Sequence, residues 1–226
     1  MAIVAITGAA RGIGLELARQ HVAAGDRVLA LARKAGPALD ELATASNGLL
    51  TIHLADVSDD ASVRSGVATT GDGPVDIVYN VAGVSGPTAP ELESADWAAW
   101  NDVFGVMVQG PLRVLQAFLP RLGAGAKVIN ISSQLGASTW PYGGHYAYAA
   151  AKAALNRLMR SVAIDVKDRG LIIGLVHPGW VQTDMGGAAA DITPVESATG
   201  IRQVAADWTL ATSGEFLNWN GKPHAW

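Results

Sequence analysis

Hydrophobic residues along the chain fall into short continuous runs, separated by longer stretches in which they recur at helical spacing. Continuous runs are typical of strands covered on both faces of a sheet. They predict six strands: Ile3–Thr7, Arg27–Arg33, Leu49–Asp56, Val75–Asn80, Lys127–Ser132 and Leu171–His177. Phe216–Trp219 is a candidate for a further edge strand, and helices are predicted at Ile13–Ala24, Ser94–Leu119, Tyr146–Lys167 and Pro194–Thr209. This alternation predicts an α/β fold, a doubly wound parallel sheet of about seven strands with helices on both faces.

The composition predicts one folded domain. The chain has 226 residues, of which 50% are hydrophobic and 16% charged, and its mean hydropathy is +0.24. This is enough apolar material for a large core, and no linker or repeat interrupts the pattern, so we expect a single domain over residues 1–226. No apolar run approaches the ~18 residues that span a bilayer, and the first residues form a strand rather than a signal segment. We therefore expect a cytoplasmic protein that binds no membrane.

Charge and residue types argue against several other functions. A net charge of −4 and a pI near 5.7 argue against nucleic acid as a partner. The absence of cysteine excludes disulfides, cysteine-ligated zinc and thiolate catalysis. The five histidines lack the spacing of metal ligands, so no metal site is expected.

A glycine-rich turn joins the first predicted strand to the first predicted helix. Positions 7–14 read T-G-A-A-R-G-I-G. Glycine permits a tight turn and lets a pyrophosphate approach the backbone, while the helix N-terminus offers free N–H groups. An ordinary glycine-rich turn is the alternative interpretation. The position between strand and helix favours a dinucleotide site, formed by Gly8, Arg11, Gly12, Ile13 and Gly14.

The end of the second predicted strand distinguishes between two dinucleotides. An acidic residue there binds the adenosine ribose hydroxyl of NAD(H), whereas an arginine accepts the 2′-phosphate of NADP(H). The chain has Arg33 followed by Lys34, and the next acidic residue is Asp40. Arg11 adds a second cation at the same corner. We therefore expect NADP(H) in preference to NAD(H); the alternative is that these are solvated surface cations.

A tyrosine and a lysine four residues apart form a candidate proton-transfer pair. Tyr148 and Lys152 lie on one face of a predicted helix, where the ammonium is expected to lower the pKa of the tyrosine. Such a tyrosine donates a proton to a carbonyl oxygen, or accepts it in the reverse direction. Ser133 follows the fifth predicted strand, at the sheet edge where α/β folds bind ligands, and is placed to polarise the same oxygen.

These segments together resemble the short-chain dehydrogenase/reductase family along essentially the whole chain. The matching pieces are Thr7–Gly14, Asp56-Val57, Asn80-Val81-Ala82-Gly83, Ile131-Ser132-Ser133, Tyr148–Lys152 and Pro178-Gly179. More narrowly, the C-factor/sniffer-like carbonyl reductase branch is resembled by Gly110-Pro111-Leu112, His177–Gly187 and Gly214–Trp226. The resemblance implies a single-domain Rossmann fold and an oxidoreductase. It further implies hydride transfer between NADP(H) and a ketone, aldehyde or secondary alcohol.

The resemblance also implies a role for each matching residue. Tyr148 is the general acid/base, Lys152 lowers its pKa and holds the nicotinamide ribose, and Ser133, rather than Ser132, is the catalytic serine. The other implied cofactor contacts lie on the adenine side, on the adenine-ribose side and after the sixth strand, where Thr183 reaches the nicotinamide carboxamide. They are Asp56 and Val57; Asn80, Ala82 and Gly83; and Pro178, Gly179, Val181 and Thr183.

Three positions depart from the family pattern. Val81 stands where the family has a second asparagine, and Ala151 stands where it has a serine before Lys152. The largest departure is Met107, at the position of an active-site asparagine that in the family helps hold a water linking the lysine to solvent. Asn101 is six residues earlier, about 120° off the required helix face. We expect an altered proton relay rather than loss of hydride chemistry.

Aromatic residues surround the predicted substrate cleft. By the resemblance, the two segments that border it contribute Trp140, Tyr142, His145, Trp180 and Met185. Aromatic walls suit aryl-substituted or other hydrophobic ketones and secondary alcohols. The alternative for Trp140 is that it simply packs a loop.

Sequence features distinguish between three possible functions. A reductase is favoured, and a catalytically weak NADP(H)-sensing binding protein is the alternative that Met107 supports. A nucleotide-sugar epimerase or dehydratase usually carries an added domain, for which 226 residues leave no room. Relatives pair through the two long helices after the fourth and fifth strands, which implies a homodimer or homotetramer.

Overall fold

Seven parallel strands form one sheet in the computed structural model, which describes residues 1–87 and 92–226. The strands are β1 Ile3–Thr7, β2 Arg27–Ala32, β3 Leu50–Leu54, β4 Ile77–Asn80, β5 Lys127–Ile131, β6 Ile172–His177 and β7 Phe216–Asn218. Their order across the sheet is β3-β2-β1-β4-β5-β6-β7. From β1 the chain adds β2 and β3 on one side, and it then returns to add β4 to β7 on the other side of β1. Ligands of such sheets bind in the crevice that opens between β1 and β4. The predicted doubly wound sheet is confirmed.

Seven α-helices cover the two faces of the sheet in the described part of the chain. They are α1 Gly12–Ala23, α2 Pro37–Ala45, α3 Asp60–Ala68, α4 Trp97–Phe104, α5 Gly110–Phe118, α6 Tyr146–Asp165 and α7 Pro194–Asp207. The sequence did not predict α2 and α3, because nine residues are too few to establish a clear periodicity; Leu39 is the one buried residue of α2.

The predicted helix over Ser94–Leu119 is divided in the structure. It begins at Trp97, because Asp96 accepts a hydrogen bond from the backbone N–H of Ala99 at 3.0 Å and so caps the first turn. A π-helical turn, Gly105–Gln109, then separates α4 from α5. Such turns inside helices are frequent at functional sites.

The core lies in two layers, one on each side of the sheet. Alternate residues of a strand enter opposite layers, so Ala5 packs with α3, α5 and α6, whereas Val4 and Ile6 pack with α1, α2 and α7. Phe118 on α5 and Trp208, which directly follows α7, are large buried residues of the two layers. Because both faces are covered, the strands read as continuous apolar runs.

Among the described residues, one helical run, Trp97–Arg121, is long and apolar enough to cross a membrane by length and composition alone. This run is a continuous helix but not an uninterrupted apolar stretch, since Asn101, Asp102 and Arg113 lie within it. The run packs on the sheet as a core helix, through Val114, Leu115 and Phe118.

Candidate active site

A cleft of about 930 Å³ opens at the carboxyl ends of the central strands. Most of the residues predicted to bind a cofactor line it: Gly8, Arg11, Gly12, Ile13, Gly14, Arg33, Asp56, Val57, Ala82, Gly83, Tyr148, Lys152, Pro178 and Thr183. Several further lining residues were not predicted from the sequence, among them Ser62, Gln182, Asp184 and Pro194. The predicted residues therefore converge on one cavity, although they are scattered over more than two thirds of the chain.

Glycines in the first turn bring backbone segments closer than any side chain would permit. Gly8 has φ +66°, and a Cβ added there would lie 2.8 Å from the Cα of Ala82. A Cβ added at Gly14 would lie 2.3 Å from the carbonyl oxygen of Gly8. The first turn of α1 lines the cleft, so its N–H groups are available to an anion.

Two exposed cations mark the far end of the cleft. Arg33 and Lys34 directly follow β2 and line the cavity. Asp56, after β3, lies beside them. Partial burial alone would raise the pKa of the Asp56 carboxyl. Two hydrogen bonds from Ser58, one from its hydroxyl at 2.6 Å and one from its N–H at 2.9 Å, act in the opposite direction, as does the charge of Arg33. The net result is a lowered pKa for Asp56. This end of the cleft therefore has two cationic side chains, Arg33 and Lys34, and one carboxylate whose negative charge is stabilised.

Arg11 does not stand as a free cation at that end. Its guanidinium donates to Asp184 at 2.9 Å, which joins the glycine turn to the segment after β6. Both side chains are more than 70% exposed, so the pair is screened by water and contributes little to stability. The expectation that Arg11 simply adds a second cation beside Arg33 needs this correction, which the sequence hid because the partners are 173 positions apart.

Lys152 is buried at the opposite end of the cleft. Its side-chain amine donates to the carbonyl oxygen of Ile131 at 2.7 Å and lies 5.6 Å from the centre of the Tyr148 ring. Burial penalises the ammonium and lowers the pKa of Lys152 to about 8. The lysine therefore holds its proton less tightly than an exposed lysine would.

Tyr148 is hydrogen-bonded to Ser133 and has a raised pKa. Burial of the phenol raises the pKa, and the hydrogen bond with Ser133 only partly opposes this. The prediction of a lowered pKa was wrong for the protein alone, because burial outweighs the influence expected from Lys152. Tyr148 is consequently a protonated donor at neutral pH.

The two adjacent serines have different surroundings. Ser133 is 8% exposed, and its hydroxyl accepts from the N–H of Leu135 at 3.2 Å in addition to its bond with Tyr148. The hydroxyl of Ser132 instead donates to Asn156 Oδ1 at 2.5 Å inside the core. Ser132, and not Ser133, is among the residues that line the cleft. The Ser132 hydroxyl is nevertheless engaged by Asn156, so it is the hydrogen bond with Tyr148 that favours Ser133 for contact with a substrate. Asn156, four residues after Lys152 and on the same helix face, was missed by the sequence analysis.

Met107 lies in the π-helical turn and forms part of the cleft wall. It is buried, it packs with Val103, Ala147 and Ala151, and its sulfur lies 3.6 Å from where a Cβ of Gly83 would be. Its neighbours are apolar, so the wall offers no side-chain amide at this point. Asn101 is exposed on α4, as its helical phase predicted.

Three residues predicted to contact the cofactor lie outside the cleft wall. Asn80 is buried, and its amide donates to Asn130 Oδ1 at 2.9 Å, bracing β4 against β5. Val181 is also buried, behind the wall. Gly179, at φ +87°, permits a turn in which a Cβ would lie 2.5 Å from Ile192 Cδ1. Asn80, Gly179 and Val181 support the cleft from behind its wall, and their contact with a cofactor stays a prediction.

The predicted substrate residues are only partly brought together. Of the five, Met185 lines the cleft in the described structure. Trp140 and Tyr142 contact each other edge to face, 5.2 Å between ring centres, and Tyr142 and His145 are exposed. Trp180 is half exposed and donates to the carbonyl oxygen of Gly186 at 2.8 Å. These four aromatic residues are not among those that line this cavity, and their rings lie on loops around it. Their contact with a substrate stays a prediction.

A known protein family matches the part of the chain that contains this site. The family model described as short chain dehydrogenase matches residues 2–192. The chain belongs to the short-chain dehydrogenase family. Its Tyr148–Lys152 segment, its glycine turn and the ends of β1 to β6 all lie within the matched residues.

Similar proteins of this family come from bacteria and animals. The C-signal of Myxococcus xanthus is 40% identical over 157 residues, which are 68% of this chain and 94% of that protein. The NADPH-bound carbonyl reductase from chicken fatty liver has a TM-score of 0.91 at 32% identity, covering 100% of this chain and 99% of that one. The carbonyl reductase Sniffer of D. melanogaster has a TM-score of 0.91 at 28% identity, covering 100% of both chains. The predicted resemblance to this family and to its carbonyl reductase-like branch is confirmed. The chain is therefore a member of an oxidoreductase family.

Proposed function

We propose that this short-chain dehydrogenase is an NADPH-dependent carbonyl reductase. It reduces hydrophobic or aryl-substituted ketones and aldehydes, and it oxidises the corresponding secondary alcohols in reverse. The observation that carries the proposal is the Tyr148–Ser133 hydrogen bond beside the buried Lys152, at one end of a cleft with Arg33 and Lys34 at its other end. Proton donor and phosphate-binding cations thus share one cavity.

The residues present fit a dinucleotide. Gly8 and Gly14 have no room for a Cβ, because backbone atoms of Ala82 and Gly8 lie within 3 Å of where it would be. The part of this turn that lines the cleft therefore presents backbone at these two positions, which suits a pyrophosphate. Arg33 and Lys34 would hold a 2′-phosphate through charge-assisted hydrogen bonds, and these favour NADP(H) over NAD(H). When bound, the cofactor supplies the hydride.

Three side chains would manage the proton. Ser133 and Tyr148 donate hydrogen bonds to the carbonyl oxygen, which stabilises the negative charge that develops there. Tyr148 then transfers its hydroxyl proton to this oxygen, which is a stronger base than the phenolate as the alkoxide forms. Lys152 stabilises the phenolate left behind, and the proton returns along the same path in alcohol oxidation.

A catalytically weak NADP(H)-sensing protein is the second candidate. Met107 favours it, since the apolar wall around this residue supplies no side chain to relay a proton to Lys152. The Tyr148–Ser133 bond and buried Lys152 favour the reductase, because a sensor has no need of a buried amine.

Assembly and location are part of the same proposal. Trp97 on α4 and Ile164 on α6 are each 68% exposed, which supports pairing through these helices into a homodimer or homotetramer. We propose a single domain over residues 1–226 in the cytoplasm, acting on small carbonyl compounds without a metal.

The proposal is tested by NADPH consumption, measured beside NADH consumption, over a panel of aryl ketones, diketones and aldehydes. We expect turnover with NADPH preferred, abolished in Tyr148→Phe and retained in Tyr146→Phe, which changes a half-exposed tyrosine of the same helix. Tight NADPH binding without turnover on any carbonyl would overturn the reductase and establish the sensor.

A further inference from the structure

The segment Pro223–Trp226 folds back against the edge strand β7. Pro223 pairs with Leu217 in an antiparallel bridge, and the N–H of His224 donates to the carbonyl oxygen of Phe216 at 2.9 Å. This return places His224 and Trp226 beside the loop at positions 134–138, which directly follows Ser133.

Trp226 connects that loop to the helix that carries Lys152. Its main-chain oxygen accepts from the hydroxyl of Ser138 at 2.9 Å. Its indole ring lies 5.2 Å from the guanidinium carbon of Arg160, on α6, and 5.9 Å from the ring of Phe216. Loop, helix and edge strand therefore meet at one residue, the loop at its main chain and the other two at its indole ring.

His224 reaches the same loop through a second histidine. Its ring centre lies 4.5 Å from that of Phe216 and 5.4 Å from that of His177. Nδ1 of His177 accepts from the N–H of Gln134 at 3.3 Å, which is the residue after Ser133. Packing of His224 thus fixes the ring that holds the loop.

The opposite side of the loop lies against Lys152. A Cβ added at Gly136 would lie 2.8 Å from the Cβ of Lys152, so loop and helix are in direct contact. The loop is held between the catalytic helix on one side and the Pro223–Trp226 segment on the other. Movement of the loop would move Ser133 relative to Tyr148.

We propose that His224 and Trp226 are positioning residues for the reaction: they brace loop 134–138 against α6 and so hold Ser133 at hydrogen-bonding distance from Tyr148. The proposal rests on the carbonyl reductase function for its kinetic consequence. Neither residue touches the cleft, so the brace acts on the rate of the chemical step and not on cofactor affinity.

Trp226→Ala tests the brace. We expect kcat to fall about tenfold, since small misplacements of reacting groups are costly, while the Kd for NADPH changes less than about twofold. Trp226→Phe keeps an aromatic ring over Arg160 and should retain most of kcat. Leu210→Ala, at a residue 38% exposed compared with 40% for Trp226, is the matched control and should retain wild-type kcat. Ser138→Ala removes only one hydroxyl and is expected to lower kcat about threefold if Trp226→Ala does not fold.

A second measurement needs no turnover. Amide hydrogen exchange at Gln134, Leu135 and Gly136, whose N–H groups bond to His177 and Ser133, should accelerate at least ~tenfold in Trp226→Ala and stay unchanged in Leu210→Ala. Wild-type exchange in Trp226→Ala, or a fall in NADPH affinity equal to that in kcat, would overturn the brace. Absence of turnover in the wild-type protein would overturn the proposed reductase function but not the proposed brace. The hydrogen-exchange rates in Trp226→Ala would then test the brace by themselves.

Discussion

At one end of the cleft, Arg33 and Lys34 are exposed and stand on the surface after β2; at the other end, Lys152 is 5% exposed and Ser133 is 8% exposed. Charges at the first end act through water, where salt screens them and side chains adapt to a ligand. Polar groups at the second end lie in a low dielectric, where a small displacement or an added proton has a large effect. Under the proposed function, cofactor affinity would depend on the exposed end and the chemical step on the buried end.

The largest effect is expected from exchanging the two cleft lysines for methionine. Lys152→Met keeps the buried volume but removes the amine beside Tyr148, so kcat should fall by about 10²–10⁴-fold, the usual contribution of proton transfer. Lys34→Met changes an exposed lysine at the other end and should leave the saturated rate unchanged while weakening NADPH binding. Steady-state kinetics and NADPH titration distinguish the two; similar falls in kcat for both would contradict the separation.

Acid should unfold the protein partly through the buried end. Burial, and then the charge of His224, lower the pKa of His177 to about 4, whereas an unfolded histidine titrates near 6.5. Between these values the unfolded chain binds a proton that the folded one does not, so the free energy of unfolding falls as pH drops, by about 3 kcal/mol at and below pH ~4.

Urea unfolding at several pH values measures how much of the fall in unfolding free energy is due to His177. His177→Asn should flatten the curve below pH ~6.5, whereas His145→Asn, at an exposed histidine, should leave it unchanged. A curve for His177→Asn as steep as that of the wild type would show that other groups account for the acid sensitivity.

Reversing the charge at the exposed end should change cofactor choice without changing chemistry. Arg33→Asp replaces the cation proposed to bind the 2′-phosphate with a group that binds a ribose hydroxyl, so we expect NADPH affinity to fall by about 10–100-fold and NADH affinity to rise. Fluorescence titration with both cofactors checks this. Unchanged NADPH affinity would contradict the assignment of NADP(H).

The smallest effect is expected at the wall of the buried end. Met107→Asn restores an amide among apolar neighbours, and turnover should rise by about two- to fivefold because the amide gives a water a second partner beside Lys152. Met107→Leu keeps the wall apolar and is the control. An unaltered rate and pH profile in Met107→Asn would show that the proton reaches solvent by another route.

The sequence predicted features that are local or repeated. The positions of the strands along the chain follow from continuous apolar runs, and the Tyr148–Lys152 pair follows from helical spacing. It did not predict features set by distant segments: the pairing of Arg11 with Asp184, the bond between Ser132 and Asn156, and the outward direction of Tyr142. The direction of the Tyr148 pKa was predicted wrongly because burial is a property of the assembled fold.

The separation of the two ends is tested most directly by a salt titration of the wild-type protein. Kd for NADPH and for NADH, and the single-turnover rate of ketone reduction at saturating NADPH, are measured from low to high ionic strength. We expect NADPH binding to weaken more steeply than NADH binding as salt is added, because exposed cations would hold the additional phosphate, while the saturated rate changes less than about twofold. Equal slopes for the two cofactors, or a saturated rate that falls along with NADPH affinity, would contradict it.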